Sequence, residues 1–441
     1  MKNFSLFYEL MKLVVKPAMR LYYKVRITNR DYFPEKGPVL ICGNHVNAFM
    51  DPISLQLNSR RQLFSLARGD VFEHPVLRRL LTALKLIPIY RLSEGAGNLK
   101  KNELTFTISE QVLSQGNALI IYPEAVCVQE KRVRKLKKGA ARIAFETEEK
   151  NDFNSGLVIL PVGHNYSNPQ EFGSELLINF GKPIAVKNYQ ALYLEDKVRA
   201  MIRLTNDLEL AMKELVIDIK RPENDLFVDQ YTEMQVSLSE DADLERKFKR
   251  NSGFVRKVNS LTESGDAGFA ILKEKTGVYY NELSKLDIKD GDLQTAGLKA
   301  GIGFRVLFEF FAVAFGMPFY ALGLALNYPA YLLGSLAQYK LAKNIEFRAS
   351  IRFTVGWFSW IGYYLLQLLA VGLLFRNWLL LAVYAAVVPL LLRYCIFFSG
   401  FLQQYLGRLK AFRLRKKDAQ VFENLVGIRT DLLNFLKKEL L

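Results

Sequence analysis

A histidine and an aspartate stand close together near the start of the chain, in Gly43-Asn44-His45-Val46-Asn47-Ala48-Phe49-Met50-Asp51-Pro52. A carboxylate that accepts a hydrogen bond from one imidazole nitrogen fixes the tautomer. The other nitrogen can then take a proton from a substrate hydroxyl. Five residues separate the pair, so the chain between them must turn. Asp followed by Pro predicts a helix start, with Asp51 as N-cap and Pro52 at the first helical position. His45 is then in a strand-to-helix loop. The plainer reading is a capping aspartate beside an ordinary loop histidine.

Three further blocks follow in order. Ile87-Pro88-Ile89-Tyr90-Arg91 ends a short extended stretch in an arginine, which is either a solvated charge or a bidentate phosphate holder. Ile120-Ile121-Tyr122-Pro123-Glu124-Ala125 places a carboxylate at the end of an apolar strand, where open α/β sheets bind ligands. Lys131-Arg132-Val133-Arg134-Lys135-Leu136-Lys137-Lys138-Gly139 follows, with six basic residues in nine. It reads either as a solvated run or as an anion clamp opening the next helix. Val158-Ile159-Leu160-Pro161-Val162-Gly163 is a buried strand that shapes a wall rather than supplying a reactive group. Cys127 is a rival nucleophile, if it pairs with His45 or His164.

The order and spacing of these blocks resemble the phospholipid/glycerol acyltransferase family, which includes glycerol-3-phosphate and lysophosphatidate acyltransferases. Asn44-His45 with Asp51, Ile87 to Arg91, Pro123-Glu124 and Leu160-Pro161 carry the resemblance, over residues ~30–185. It implies direct transfer from acyl-CoA or acyl-carrier protein to a glycerol-phosphate hydroxyl, with His45 as base and Asp51 orienting it. It further implies that Arg91, Glu124, Arg132, Arg134 and Lys135 hold the phosphorylated acceptor, with neither metal nor cofactor. The sequence departs from the family's pattern twice. The usual histidine–aspartate gap is four residues, and the glycine, threonine and arginine expected after the glutamate are Ala125, Val126 and Cys127. Arg132, Arg134 or Lys135 would have to replace that arginine.

Elements that could position these residues are legible. Val39–Cys42, Ala118–Tyr122 and Leu157–Val162 predict strands. Helical patterns run over 52–58, 75–84, 101–115 and 137–149. Strands and helices taking turns indicate an α/β domain, expected over 30–185. Residues 186–300, with Val198–Val216 as the clearest pattern, predict a helical extension.

With 441 residues, half of them apolar, and a net charge of +16, two or three units and an anionic partner are expected. No nucleic acid is needed to explain the charge. Three scattered cysteines (Cys42, Cys127 and Cys395) and three histidines (His45, His74 and His164) suit neither a disulfide framework nor a zinc site.

Membrane signals flank the α/β domain. Residues 1–29 mix Phe4, Leu6, Phe7, Leu10, Leu13 and Val14 with Lys2, Lys12, Lys16, Arg20, Lys24 and Arg26, the pattern of a helix lying on a bilayer. Val306–Leu326 carries one charge, Glu309. Phe353–Phe375 and Trp378–Leu392 carry none. Such runs predict a helical transmembrane region over 301–407. Pro318, Asn327 and Pro329 suggest that 304–337 doubles back, and 353–402 would turn near Arg376–Asn377. Basic residues in the linker 338–352 and the tail 408–441 place both on the cytoplasmic side. The expectation is a multi-pass protein of the cytoplasmic membrane, its catalytic domain facing the cytoplasm.

Overall fold

The computed structural model describes residues 4–90, 98–238, 243–298 and 302–439. The chain divides into two compact units. The first comprises 1–217 with 338–353, and the second 218–337 with 354–441.

The first unit is built on one eight-stranded sheet. Its elements run α1 (Leu6–Tyr22), β1 (Tyr23–Thr28), β2 (Val39–Gly43), α2 (Met50–Asn58), β3 (Leu63–Arg68), α3 (Pro75–Ala83), β4 (Leu86–Ile89), α4 (Asn98–Ser114), β5 (Ala118–Ile121), α5 (Gly139–Glu149), β6 (Val158–Tyr166), β7 (Ser174–Phe180), β8 (Ile184–Ala185), α6 (Gln190–Glu195) and α7 (Lys197–Lys213). The strand order is β1-β7-β6-β2-β5-β3-β4, with β8 against β6. β2 lies parallel to β5 in the register Ile41↔Ile120 and parallel to β6 in the register Ile41↔Leu160. β7 returns antiparallel to β6, and β1 pairs parallel with β7.

The reason for this sheet is in the strands. Val39–Gly43 and Ala118–Ile121 are buried at every position, as parallel strands covered on both faces must be. On one face Leu40, Leu119, Val112, Phe145, Leu204 and Met212 form a single apolar cluster with α4, α5 and α7. The C-terminal ends of β2 and β5 are adjacent, so the two motif-bearing loops leave the sheet side by side.

Several expectations change. The sheet begins before residue 30, because β1 is its edge strand and packs directly after α1. The helical extension divides at 217/218, with α6 and α7 belonging to the first unit. Asp51 is not an N-cap. Helix α2 starts at Met50 with Phe49 before it, and the Asp51 carboxylate instead accepts from Val46 and Asn47 N–H groups upstream.

The second unit is helical: α8 (Asp225–Leu238), α9 (Leu244–Ser264), α10 (Ala267–Lys285), α11 (Asp290–Leu298), α12 (Ile302–Leu341), α13 (Ile345–Phe375), α14 (Trp378–Lys417) and α15 (Ala419–Glu439). The end of α12 and the start of α13 belong to the first unit. Three helices, α12 to α14, are long and apolar enough to cross a membrane.

The turn expected at Arg376–Asn377 is there, with the Asn377 side chain capping α14. The hairpin expected over 304–337 is not formed, since α12 is one continuous helix with Pro318 and Pro329 inside it. Asn327 does not open a turn. Its side chain donates to Gly323 O at 2.8 Å and accepts from Trp360 Nε1 at 2.7 Å. Glu309, the lone charge of this run, is held by Arg305 at 3.0 Å and Arg408 at 2.9 Å. A buried carboxylate with two guanidinium donors is the paired state that burial demands.

Candidate active site

Strand β2 ends at Gly43, and the loop 44–49 carries His45 back toward the first turn of α2. His45 Nδ1 lies 2.8 Å from Asp51 Oδ2. The same oxygen accepts from Val46 N at 3.0 Å and Asn47 N at 2.9 Å. The second oxygen, Oδ1, accepts from Tyr166 Oη at 2.8 Å. Asp51 is fully buried, so each of these donors compensates lost hydration.

Burial raises the Asp51 carboxyl. Hydrogen bonding from His45, the nearby His164 and His45 rings and the Asn47 N–H outweigh it, and Asp51 titrates below its ordinary value. An ionised Asp51 accepts the Nδ1 proton and leaves Nε2 with its lone pair. The His45 side chain keeps 21% of its surface exposed, and among the described residues Nε2 has no hydrogen-bond partner. That is the arrangement of a base open to a substrate hydroxyl.

The second wall comes from β5. The Tyr122 ring stacks on His45 with centroids 4.0 Å apart and planes 13° apart. Its hydroxyl is buried without a hydrogen-bond partner among the described residues. Glu124 follows, 5% exposed, with Oε1 also unpartnered. Burial first, then the charges of Asp51 and Glu130 acting against Arg134, push its carboxyl up to about 8. At neutral pH Glu124 is therefore protonated and can donate a hydrogen bond.

Ala125 takes φ +59°, where a glycine is at ease and an alanine is strained. The turn keeps the conformation of the expected glycine without the glycine. Val128 N donates to His45 O at 3.1 Å, and Ala48 N points at Cys127 Sγ at 3.1 Å, joining this loop to the histidine loop. Burial, then the charges of Asp51, Glu346 and Glu124, push the Cys127 thiol far up. This is the opposite of an activated nucleophile.

The candidate residues do not all converge. His45, Asp51 and Glu124 follow the adjacent C-terminal ends of β2 and β5, where Asp51 acts on the Glu124 carboxyl. Arg134 pairs with Glu130 at 2.8 Å and acts on Glu124 electrostatically, while Arg132 lies 3.4 Å from Glu130. Lys135 is exposed and acts on Glu209 of α7. Arg91 lies outside the described residues. No three or more His, Cys, Asp or Glu side chains among the described residues form a set that could hold a metal ion.

Other contributors had no part in this histidine–aspartate site as the sequence alone presents it. Tyr166 and Tyr122 are two. His164, fully buried and named from the sequence only as a possible partner of Cys127, is a third; burial, the largest influence on it, lowers its pKa. The linker is a fourth. Ser350 Oγ accepts from Phe49 N at 3.1 Å, and Phe347 meets the Phe49 ring edge-on. Arg352 donates to Tyr22 Oη and Gln170 O. The basic linker 338–352 therefore packs against the histidine loop.

A family model for Acyltransferase matches residues 24–165 of this chain. An uncharacterized acyltransferase of Schizosaccharomyces pombe is 26% identical over 199 residues, 42% of this chain and 27% of that protein. A 1-acyl-sn-glycerol-3-phosphate acyltransferase of Borreliella burgdorferi is 24% identical over 163 residues, 37% of this chain and 59% of that protein. The chain thus spans about a quarter and about three fifths of these two relatives' lengths. The crystal structure of the 1-acyl-sn-glycerophosphate acyltransferase PlsC from Thermotoga maritima aligns with a TM-score of 0.35 and 14% identity, over 47% of this chain and 78% of that one.

Proposed function

We propose that this protein transfers a fatty-acyl group from acyl-CoA or acyl-carrier protein to a hydroxyl of glycerol-3-phosphate or 1-acylglycerol-3-phosphate, in phospholipid biosynthesis. The observation that carries the reading is the 2.8 Å His45–Asp51 contact with the outer imidazole nitrogen left open, inside the stretch that the Acyltransferase family model matches. In this mechanism His45 Nε2 takes the acceptor hydroxyl's proton as the oxygen bonds to the thioester carbonyl carbon. The tetrahedral intermediate collapses, the C–S bond breaks, and the imidazolium returns the proton to the departing thiolate. Asp51 steadies the imidazolium. Neither a metal nor a redox group enters these steps.

Glu124, protonated at neutral pH, hydrogen-bonds the acceptor's head. Arg91, Arg132, Arg134 and Lys135 supply positive charge for its phosphate, and Arg134 acts electrostatically on the Glu124 carboxyl. A phosphate-poor or amine-bearing acceptor is the second reading. Cys127 stands where the resemblance expects an arginine, and the carboxylate of Glu346 acts on it.

The domain, the 338–352 linker and the tail share the cytoplasmic side in this reading. The linker packs on the catalytic unit, and Arg408 near the tail pairs with Glu309 near the start of α12. Among the described residues of 218–298, no helix is long and apolar enough to cross. Helix α12, about 60 Å long against a hydrocarbon core of about 30 Å, then lies along the bilayer, while α13 and α14 enter and return.

The test is an assay of the purified full chain with both donors against glycerol-3-phosphate, 1-acylglycerol-3-phosphate, a lysophospholipid bearing an amine and a phosphate-free monoacylglycerol. Acylation of a phosphorylated glycerol supports the proposal. Transfer to the amine-bearing or phosphate-free acceptor alone replaces it with the second reading.

A further inference from the structure

Helices α2 and α3 cover one face of the sheet. The β2–α2–β3 and β3–α3–β4 connections step outward in one direction between parallel strands, and such crossovers keep one hand. Helix α1 packs on α2. Its N-cap, Ser5, donates from Oγ to Ala83 O at 2.8 Å, at the end of α3. Gln62 clasps the Ser5 backbone through both N–H and C=O at 2.9 Å. The two helices therefore lie on the same face with one pair of ends tied.

That face is apolar where it meets solvent. On α1, Leu6, Leu10 and Leu13 are exposed at helical spacing, with Leu13 at 73%. No residue of α3 is buried, and Val76, Leu77 and Leu80 are exposed on it, Val76 at 66%. A nine-residue helix with no fully buried residue, and only Leu81 and Ala83 half-buried, draws little support from its own domain's core, from which helical stability ordinarily comes. Lys12 turns inward to Ser59 O and Glu9, and the two helices otherwise carry Lys16, Arg20, Arg78 and Arg79 with Glu9 as their single acid.

We propose that α1 and α3 together form a docking face for an anionic phospholipid bilayer, separate from the long apolar helices. The charge excludes a self-association reading, because a second copy would present the same excess of cations to this one. Apolar side chains rimmed by arginine and lysine are what an anionic interface accepts, with the leucines in the acyl boundary and the cations at the headgroups. Helix α1 ends at Tyr22, directly before Tyr23, whose hydroxyl accepts from Asn47 Nδ2 at 2.9 Å in the histidine loop. The docked face thus leads to the loop that carries His45, a route for acyl chains that water does not dissolve.

This inference stands apart from the acyl-transfer reading and is tested without measuring activity. The full chain with Leu80→Cys, labelled with bimane, is placed in phosphatidylglycerol-containing nanodiscs. Leu194→Cys on α6, exposed on the opposite side of the sheet, is the control, and the unsubstituted chain gives the background from Cys127. Doxyl-labelled lipid should quench the probe at position 80 and leave position 194 unaffected, with aqueous iodide doing the reverse. Neutral phosphatidylcholine nanodiscs or added salt should weaken lipid quenching at position 80. Iodide quenching at 80 equal to that at 194 would overturn the proposal. Shielding from both quenchers would also overturn it, since it would mean that protein covers the face.

Discussion

Two buried aspartates, one in each unit, are solved by nearly the same chemistry and do different things. Asp51 is surrounded by His45, two backbone N–H groups and Tyr166. Asp290, at the start of α11, accepts from Arg429 Nε at 2.7 Å and a second guanidinium nitrogen at 3.0 Å, and from Tyr279 Oη at 2.7 Å. Both are fully buried and both hold a tyrosine hydroxyl. The difference is in the partner. A guanidinium has no lone pair and stays charged, so the Asp290 pair is closed on itself and its work is to lock α11 to α15. An imidazole fixed through Nδ1 keeps a lone pair on Nε2, so the Asp51 pair has an outlet. Burial and hydrogen bonding make a carboxylate orderly; an open partner makes it a site.

That contrast can be broken by substitution. The largest effect is expected for Asp51→Asn. An amide offers the ring the wrong partner, and the turnover loss should approach ~10⁴-fold, with the melting temperature changed far less in proportion. Asp290→Asn in the same assay should leave turnover per folded molecule near that of the unsubstituted chain. Equal turnover losses in the two variants would erase the distinction.

Arg429→Ala leaves a buried carboxylate without its counter-charge and should destabilise the helical unit by about 3–5 kcal/mol. Denaturant unfolding reads this directly. A change within error would mean that Asp290 finds water or another donor.

Glu124→Gln sharpens the comparison through pH. An unfolded glutamate ionises near ~4.3, whereas folded Glu124 holds its proton up to about 8. Between those values the unfolded state binds fewer protons, so stability falls as pH rises. Glutamine removes this slope. The variant should gain stability relative to the unsubstituted chain between pH 5 and pH 8, by about 1–3 kcal/mol after allowance for solvent screening. Parallel curves would contradict the burial argument.

The smallest effect is expected for Tyr166→Phe. Removing a hydrogen bond to an ionised carboxylate costs about 1.5 kcal/mol or more, on the order of tenfold in rate. The freed Asp51 oxygen becomes more basic and holds the His45 imidazolium more tightly. The acid limb of the pH–rate profile should move to higher pH. A loss uniform across pH would make Tyr166 merely structural.

What the sequence disclosed, and what it concealed, follows contact distance. His45, Asp51 and Glu124 sit at strand ends within short motifs, and two uninterrupted apolar runs mark β2 and β5 as buried strands, though the register that joins them is seen only in the structure. Tyr166 reaches Asp51 from 115 positions away, and Ser350 reaches Phe49 from 301 away; no local pattern encodes either. β1 was absorbed into the preceding basic helix, because Tyr23–Thr28 alternates cations with apolar residues without a turn signal before it. Pro318, Asn327 and Pro329 pointed to a turn in α12. Proline costs a helix one donor, and an apolar setting with an asparagine bonded to Trp360 and Gly323 tolerates that loss. The arginine missing at position 127 was evident from the motif, but not that Cys127 would lie within reach of the Glu346 carboxylate.

The central claim is that the open nitrogen of His45 takes the acceptor's proton. His45→Ala, purified in the same detergent as the unsubstituted chain and matched to it in melting temperature, should lose at least ~10²–10⁴-fold in acyl transfer from acyl-CoA to the preferred glycerol acceptor. Its KM for acyl-CoA should be little changed. Wild-type turnover by the folded His45→Ala protein would contradict the account.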